Sequence, residues 1–144
     1  MPTELKFGIP DIELGCPQGR ALNPSSFAGH GLVILFFPTD AAQAAEEIAS
    51  YRSHCAEFVD QDAWVLAIGG ECAPMGEGPG RFLAVEDPKG HAWDAFRRLA
   101  DSPGSFARSH GATFCFTRGG NLHRSWPGPG HADEILLELR NPSA

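Results

Sequence analysis

Residues 31–58 read GLVILFFPTDAAQAAEEIASYRSHCAEF, and the rest of the chain is arranged around this stretch. Residues 32–37 form an apolar run without a charge, which predicts a strand buried on both faces. Pro38-Thr39-Asp40 ends that strand, and an alanine-rich helical segment follows. Strand, loop and helix together would place backbone N–H groups at the carboxyl edge of a sheet, where α/β proteins commonly hold their chemistry.

The helical segment is predicted over residues 41–59, with Asp40 or Thr39 as its N-cap. Apolar residues recur along it in steps of three and four; they are Ala44, Ile48, Tyr51, Cys55 and Phe58. Its other side carries charges that we expect to face solvent, namely Glu46, Glu47, Arg52 and Glu57. A second apolar strand at residues 63–68 completes a βαβ unit, whose right-handed crossover implies a parallel pair of strands.

The remaining pattern predicts a mixed sheet with helices on both faces. It has an N-terminal arm or short hairpin at residues 5–14, a strand at 81–86, a helix at 91–100, a hairpin from 112–117 and 121–126, and a last helix at 131–139. No linker or internal repeat divides the chain, so residues 1–144 are predicted to form one domain.

Charge and hydropathy exclude two classes of partner. The formal net charge is −7 and the eleven Lys and Arg residues are scattered, which argues against a nucleic-acid surface. No stretch approaches the roughly 20 apolar residues of a membrane span, and residues 1–4 lack the pattern of a signal peptide. We therefore expect no nucleic-acid partner, no membrane partner and a cytoplasmic protein.

The four cysteines are Cys16, Cys55, Cys72 and Cys115, and they form neither a Cys-x-x-Cys pair nor a zinc spacing. Cys55 and Cys115 lie in apolar patterns, which predicts small buried side chains, and Cys16 lies in a surface turn. Cys72 follows the second parallel strand, so we expect it at the same carboxyl edge as the Pro-Thr-Asp loop. It is the candidate reactive thiol, although Glu71 beside it would raise its pKa.

A metal site is the other chemistry weighed here. His110, Cys115 and His123 could converge across the late hairpin, and iron or zinc would accept such ligands together with a carboxylate. Their spacing is no recognised metal signature. His54 and Cys55 are neighbours on a helix, so their side chains diverge by about 100°. We predict neither a metal nor a cofactor.

Along nearly the whole chain the residues resemble the peroxiredoxin and alkyl hydroperoxide reductase group of the thioredoxin fold. In chain order, the matching segments are Gly8-x-Pro10, Leu14 with Gly19-Arg20, Phe27-x-Gly29, LVILFFP at 32–38, AWVLAIGG at 63–70, Asp87-Pro88-x-Gly90, Ala112-Thr113-Phe114, and Pro129-Gly130-His131 with Glu134-Ile135-Leu136 and Leu139. The resemblance implies an α/β, thioredoxin-like fold with a mixed central sheet, helices on both faces and an N-terminal extension. It also implies a homodimer.

In that family, Pro-x-x-x-Thr-x-x-Cys at the helix start and an Arg near the late strand carry the reaction. The thiolate attacks peroxide, while Thr and Arg hold the peroxide oxygens. Counted from Pro38, the family's Thr falls on Ala42 and its Cys on Ala45; an alignment pinned further along the helix moves the Cys to Ala44. The Arg falls on Gly111. Because a methyl group cannot attack a peroxide, the usual peroxidase chemistry is not expected.

The leading hypothesis is a catalytically degenerate peroxiredoxin-like protein that binds an unknown protein or small ligand. We call the binding surface the former active-site edge; it comprises Pro38, Thr39, Asp40, Ala42, Ala45 and Gly111. The alternative is a thiol-dependent oxidoreductase or peroxidase whose reactive cysteine has moved to Cys72. An accessory domain that acts beside an oxygenase or reductase is not separated from the leading hypothesis by sequence.

Overall fold

The computed structural model describes residues 9, 12–15, 21–27, 29–68, 82–85, 90–100, 104, 106–128 and 130–140. In chain order its helices and strands are β1 (Leu14–Gly15), β2 (Ala21–Leu22), β3 (Gly31–Phe36), α1 (Ala41–Ser53), α2 (Cys55–Asp60), β4 (Ala63–Ile68), β5 (Phe82–Val85), α3 (His91–Arg97), β6 (Ala112–Phe116), β7 (Leu122–Pro127) and α4 (Ala132–Arg140). Most of the predicted N-terminal arm at residues 5–14 lies outside the described residues.

Within the described residues, five strands form one mixed sheet in the order β5-β4-β3-β6-β7. β3, β4 and β5 run parallel, whereas β6 is antiparallel to β3 and to β7. The parallel βαβ pair and the late hairpin are therefore as predicted. β1 and β2 pair in a separate small antiparallel sheet that forms the N-terminal extension.

The core has two layers because successive side chains of β3 point to opposite faces of the sheet. Leu32, Ile34 and Phe36 pack on the face covered by α3, together with the aromatic residues of β6. Val33 and Leu35 pack on the other face, which is covered by α1, α2 and α4. The predicted arrangement, with helices on both faces, is confirmed, and Cys115 is buried as predicted.

The prediction of one continuous helix over residues 41–59 is wrong, because the helix breaks at His54. The Ser53 hydroxyl donates to the Ser50 carbonyl at 2.8 Å, and His54 Nδ1 lies 2.8 Å from the same oxygen. These side chains compete for the carbonyl that the His54 backbone N–H would bond in a regular helix. That N–H bonds Tyr51 instead, at 3.2 Å. Cys55, expected in the core, is only half-buried.

Candidate functional site

The end of β3 and the segment before β6 meet at one edge of the sheet. Thr39 donates its backbone N–H to the Ser109 carbonyl at 3.0 Å and its hydroxyl to the same oxygen at 3.3 Å. Nearby, Arg108 Nη1 donates to the Phe37 carbonyl at 2.7 Å. These three contacts hold the loop after β3 against residues that are some 70 positions later in the chain.

The first turn of α1 is exposed at this edge. Asp40 is the N-cap: its carboxylate accepts from the Ala42 N–H at 3.1 Å, and its carbonyl accepts from the Ala44 N–H at 2.9 Å. Within the described part of the chain, nothing accepts from the N–H groups of Ala41 and Gln43. Thr39, Asp40, Ala42 and Ala45 are exposed, whereas Pro38 is buried. The turn therefore presents backbone donors, one carboxylate and methyl groups.

Gly111 lies at this edge, immediately before β6. A Cβ at this position would lie 2.4 Å from the Phe36 carbonyl oxygen and 2.9 Å from the Pro38 nitrogen. Its φ of 79° and ψ of −176° belong to a region that essentially only glycine adopts. An arginine side chain, which the family resemblance would put at this position, therefore has no space, because the backbone of Gly111 lies directly against the end of β3.

Arg108 is the residue at this edge that sequence reasoning missed. Its guanidinium lies 5.7 Å from the centroid of the Phe36 ring and 5.9 Å from that of the Trp93 ring, in addition to its bond to the Phe37 carbonyl. The edge therefore holds an arginine, but one that is supplied three residues before Gly111 and turned towards the end of β3. The sequence did contain a signal for this residue, because Arg108 is a basic residue in the segment just before the Ala-Thr-Phe strand.

A buried carboxyl group lies beneath α1. Glu47 was expected to face solvent, and that is wrong: its side chain is only 3 % exposed, because the loop before α4 covers it. Glu47 Oε1 accepts from the Gly130 N–H at 2.9 Å, and Oε2 has no partner among the described residues. Burial raises the pKa of Glu47, against smaller opposing contributions from the Gly130 N–H and the His131 ring.

Replacing Glu47 with glutamine should remove a pH dependence of stability. Because the folded-state pKa is raised, folding takes up a proton between the ordinary pKa of 4.5 and the raised value. The free energy of unfolding of the wild type should therefore fall as pH rises through that window and then level off. Glu47→Gln should lose this slope and be the more stable protein above it, as measured by urea unfolding at a series of pH values.

The matched control is Glu46→Gln, which removes the same charge from the exposed neighbour on α1. This variant keeps Glu47 and His131, so it should retain the wild-type slope. Equal slopes in the two variants would contradict the assignment to Glu47.

The structure does not bring the three candidate metal ligands together. His110 precedes β6, whereas His123 lies beside the far end of that strand, where Cys115 pairs with Arg124. The described residues contain no group of three His, Cys, Asp or Glu side chains that could hold a metal ion.

Cys72 lies outside the described residues, so its reactivity stays a prediction. None of the described helices is long and apolar enough to cross a bilayer.

The fold was assigned to a class by comparing the chain with known proteins and solved structures. A scan against protein-family models found no match, and a search of curated proteins found none either. Among solved structures, the bacterioferritin comigratory protein of Xanthomonas campestris aligns with a TM-score of 0.73 and 22% identity, over 97% of this chain and 94% of that chain. The mitochondrial 2-Cys peroxiredoxin of Plasmodium falciparum aligns with a TM-score of 0.69 and 15% identity, over 95% and 92%.

A thioredoxin from another group also matches. The exposed lipoprotein thioredoxin of Streptococcus pneumoniae aligns with a TM-score of 0.67 and 18% identity, over 91% of this chain and 98% of that chain. The chain thus has a thioredoxin-like fold of the peroxiredoxin-like type, which confirms the predicted fold class. A fold of this kind carries many functions, so the function has to be argued from the site.

Proposed function

We propose that this chain is a catalytically degenerate peroxiredoxin-like protein that binds a partner through the former active-site edge. The observation that carries the proposal is the exposed first turn of α1, which offers backbone donors and no nucleophile. Ala42 and Ala45 stand there at the positions that the family resemblance assigns to Thr and Cys.

Three features of the edge argue against peroxide reduction. A peroxide-reducing thiol needs a depressed pKa and groups that hold the peroxide oxygens. The Asp40 carboxylate at the start of α1 would raise the pKa of a thiol placed beside it. Gly111 provides no side chain, and Arg108 is directed at the Phe37 carbonyl. A peroxide bound here would meet few of the contacts that its reduction needs.

The same groups suit a segment of a partner protein. The N–H groups of Ala41 and Gln43 can donate to carbonyl oxygens, and the exposed Asp40 carboxylate can accept from an N–H group. An extended peptide offers both kinds of group, whereas an anionic small molecule would be repelled by Asp40. We therefore favour a peptide segment of a partner over a small anion at this edge.

Peroxiredoxin-like neighbours give the proposal its context. Alkyl peroxide reduction is described for the Xanthomonas campestris bacterioferritin comigratory protein. We propose that this chain keeps that fold without that activity and regulates a redox or stress response. A homodimer and a cytoplasmic location belong to the same proposal.

The peroxide chemistry is tested by placing a cysteine at the family position. Ala45→Cys should be oxidised by hydrogen peroxide less than about tenfold faster than Ala49→Cys, because a helix N-terminus typically stabilises an anion at an exposed position by only about 0.3–1 kcal/mol. Ala49 is the matched control, an exposed alanine one turn further along α1. Peptide mass spectrometry after a brief stoichiometric pulse, with a sulfenic-acid trap present, measures each thiol.

Two results of that pulse would overturn the loss of peroxidase chemistry. One is oxidation of the Ala45→Cys thiol about 100-fold faster than that of the Ala49→Cys thiol. The other is rapid and selective oxidation of a native thiol such as Cys72, which would favour the relocated-cysteine alternative.

The same two variants test binding. A benzophenone maleimide coupled to the thiol of Ala45→Cys and irradiated in an extract of the source cells should give one discrete protein adduct, identified by mass spectrometry. The Ala49→Cys variant should not give it, and the wild type reports the background from native cysteines. The same adducts from both variants, or none from either, would contradict binding at the edge.

A further inference from the structure

A cavity of about 470 Å³ lies at the opposite end of the sheet from the former active-site edge. Its wall includes Gly31, where β3 begins, and Phe116, where β6 ends. Because Leu32 pairs with Phe116 and Phe36 pairs with Ala112, the cavity and the edge lie at the two ends of the same strands. Small-molecule sites commonly have volumes of roughly 300–1,000 Å³, so the cavity is large enough to hold a ligand.

Leu139 is the apolar side chain that the cavity presents to a ligand. Phe116 and Cys115 also line the cavity, but they are 0 % and 1 % exposed, so they support its wall and offer almost no surface. Burial, and secondarily the Glu138 carboxylate, raises the pKa of the Cys115 thiol to about 12. The thiol therefore stays protonated at neutral pH and behaves as a small apolar core side chain.

The lining is also charged, and the one carboxylate among its described residues, that of Glu138, is already hydrogen-bonded. His123 Nε2 lies 2.6 Å from Glu138 Oε1, and Arg124 Nη1 donates to Glu138 Oε2 at 3.1 Å. The His123 hydrogen bond is the main cause that lowers the pKa of Glu138, so this side chain is a carboxylate at neutral pH. Arg118 also lines the cavity, is exposed, and has no side-chain partner among the described residues.

We propose that this cavity binds a small organic anion, with its carboxylate on Arg118 and its apolar body against Leu139. A guanidinium presents two parallel N–H donors that match a carboxylate, and this pair is among the stronger hydrogen-bonded pairs in proteins. Each oxygen of Glu138 is already hydrogen-bonded, one to His123 and one to Arg124, and the charge of Arg124 offsets that of the carboxylate. The site is separate from the former active-site edge and does not rest on the function proposed there.

The test is a ¹⁵N NMR titration of the full chain with three six-carbon probes: sodium hexanoate, hexan-1-ol and hexylammonium chloride. Hexanoate at millimolar concentration should shift the amide signals of Gly31, Thr117 and Gly119, which line the cavity. Hexan-1-ol should bind at least about tenfold more weakly, since it lacks the charge that Arg118 recognises, and hexylammonium should not bind.

Two variants assign the charge. Arg118→Gln should weaken hexanoate binding by at least about tenfold. Glu138→Gln should tighten it by about threefold, because the variant removes a negative charge from the lining of the cavity. Arg98→Gln is the control: Arg98 is an exposed arginine that caps α3, on the other face of the sheet, and the variant should bind like the wild type.

Several results would overturn the proposal. They are no shift of the cavity amides with hexanoate, equal affinity for hexan-1-ol, equal losses in Arg118→Gln and Arg98→Gln, and weaker hexanoate binding in Glu138→Gln.

Discussion

Gly111→Ala should lower the free energy of unfolding by about 3 kcal/mol, as measured by urea denaturation. The added methyl group would lie 2.4 Å from the Phe36 carbonyl oxygen, and that atom belongs to a central strand that cannot move aside. Alanine would also have to adopt a φ of 79° with a ψ of −176°, a conformation that side chains disfavour strongly. The former active-site edge should therefore be the first region to lose its amide protection from hydrogen exchange.

Gly90→Ala is the matched control for backbone strain. Gly90 has nearly the same φ, 76°, but its ψ of 9° lies in the ordinary left-handed region, and a Cβ there meets no atom of the described residues within 4 Å. This variant should lose only about 1 kcal/mol. Equal losses at the two positions would show that the approach of Gly111 to β3 does not govern stability at this edge.

Phe114→Ala should lower the free energy of unfolding by about 3–5 kcal/mol, the range for removing a fully buried aromatic ring. Phe114 is completely buried, and its ring centroid lies 5.6 Å from that of Phe106, 5.7 Å from that of Phe96 and 6.1 Å from that of Phe36. These rings cannot close the space without leaving their own contacts, so a cavity would remain. Urea denaturation together with near-ultraviolet circular dichroism would measure the loss of stability and of aromatic packing.

Leu137→Ala is the control for this truncation. Leu137 is 58 % exposed on α4 and should change the stability by no more than about 0.5 kcal/mol. A loss at Phe114 as small as the loss at Leu137 would mean that the aromatic cluster repacks, contrary to the expectation for a dense core.

The elements of the sheet could be predicted because their signals are local. The apolar run at residues 63–68 gave the bounds of β4, and the apolar residues at 32–37 gave β3 with both of its bounds one residue too late. Run length, turn residues and the two-residue period of a strand can be counted within a short window. The break at His54 could not be predicted in this way. It depends on whether the Ser50 carbonyl oxygen is hydrogen-bonded by side chains or by the backbone N–H of His54.

Glu47 shows where local pattern misleads. Its spacing of three residues from Ala44 and four from Tyr51 places it at the margin of the apolar stripe, but its charge favours solvent, and the sequence around it does not say what would cover it. The residues that bury it belong to the loop at Gly130, which is 83 residues further along the chain. Contacts over such separations are set by how the sheet and helices pack, and a helical period does not record them.

Sequence alone determined the alternation of strands and helices and the identity of Ala42 and Ala45 at the helix start, because periodicity, order and residue type are local properties of the chain. The thioredoxin-like class was implied by the resemblance to the peroxiredoxin group. Tertiary structure alone decided that Gly111 lies against β3, that Arg108 reaches Phe37 from 71 residues away, and that a cavity opens at the other end of the sheet. These features exist only once β6 pairs with β3, since that pairing brings distant backbone and side chains within hydrogen-bonding distance.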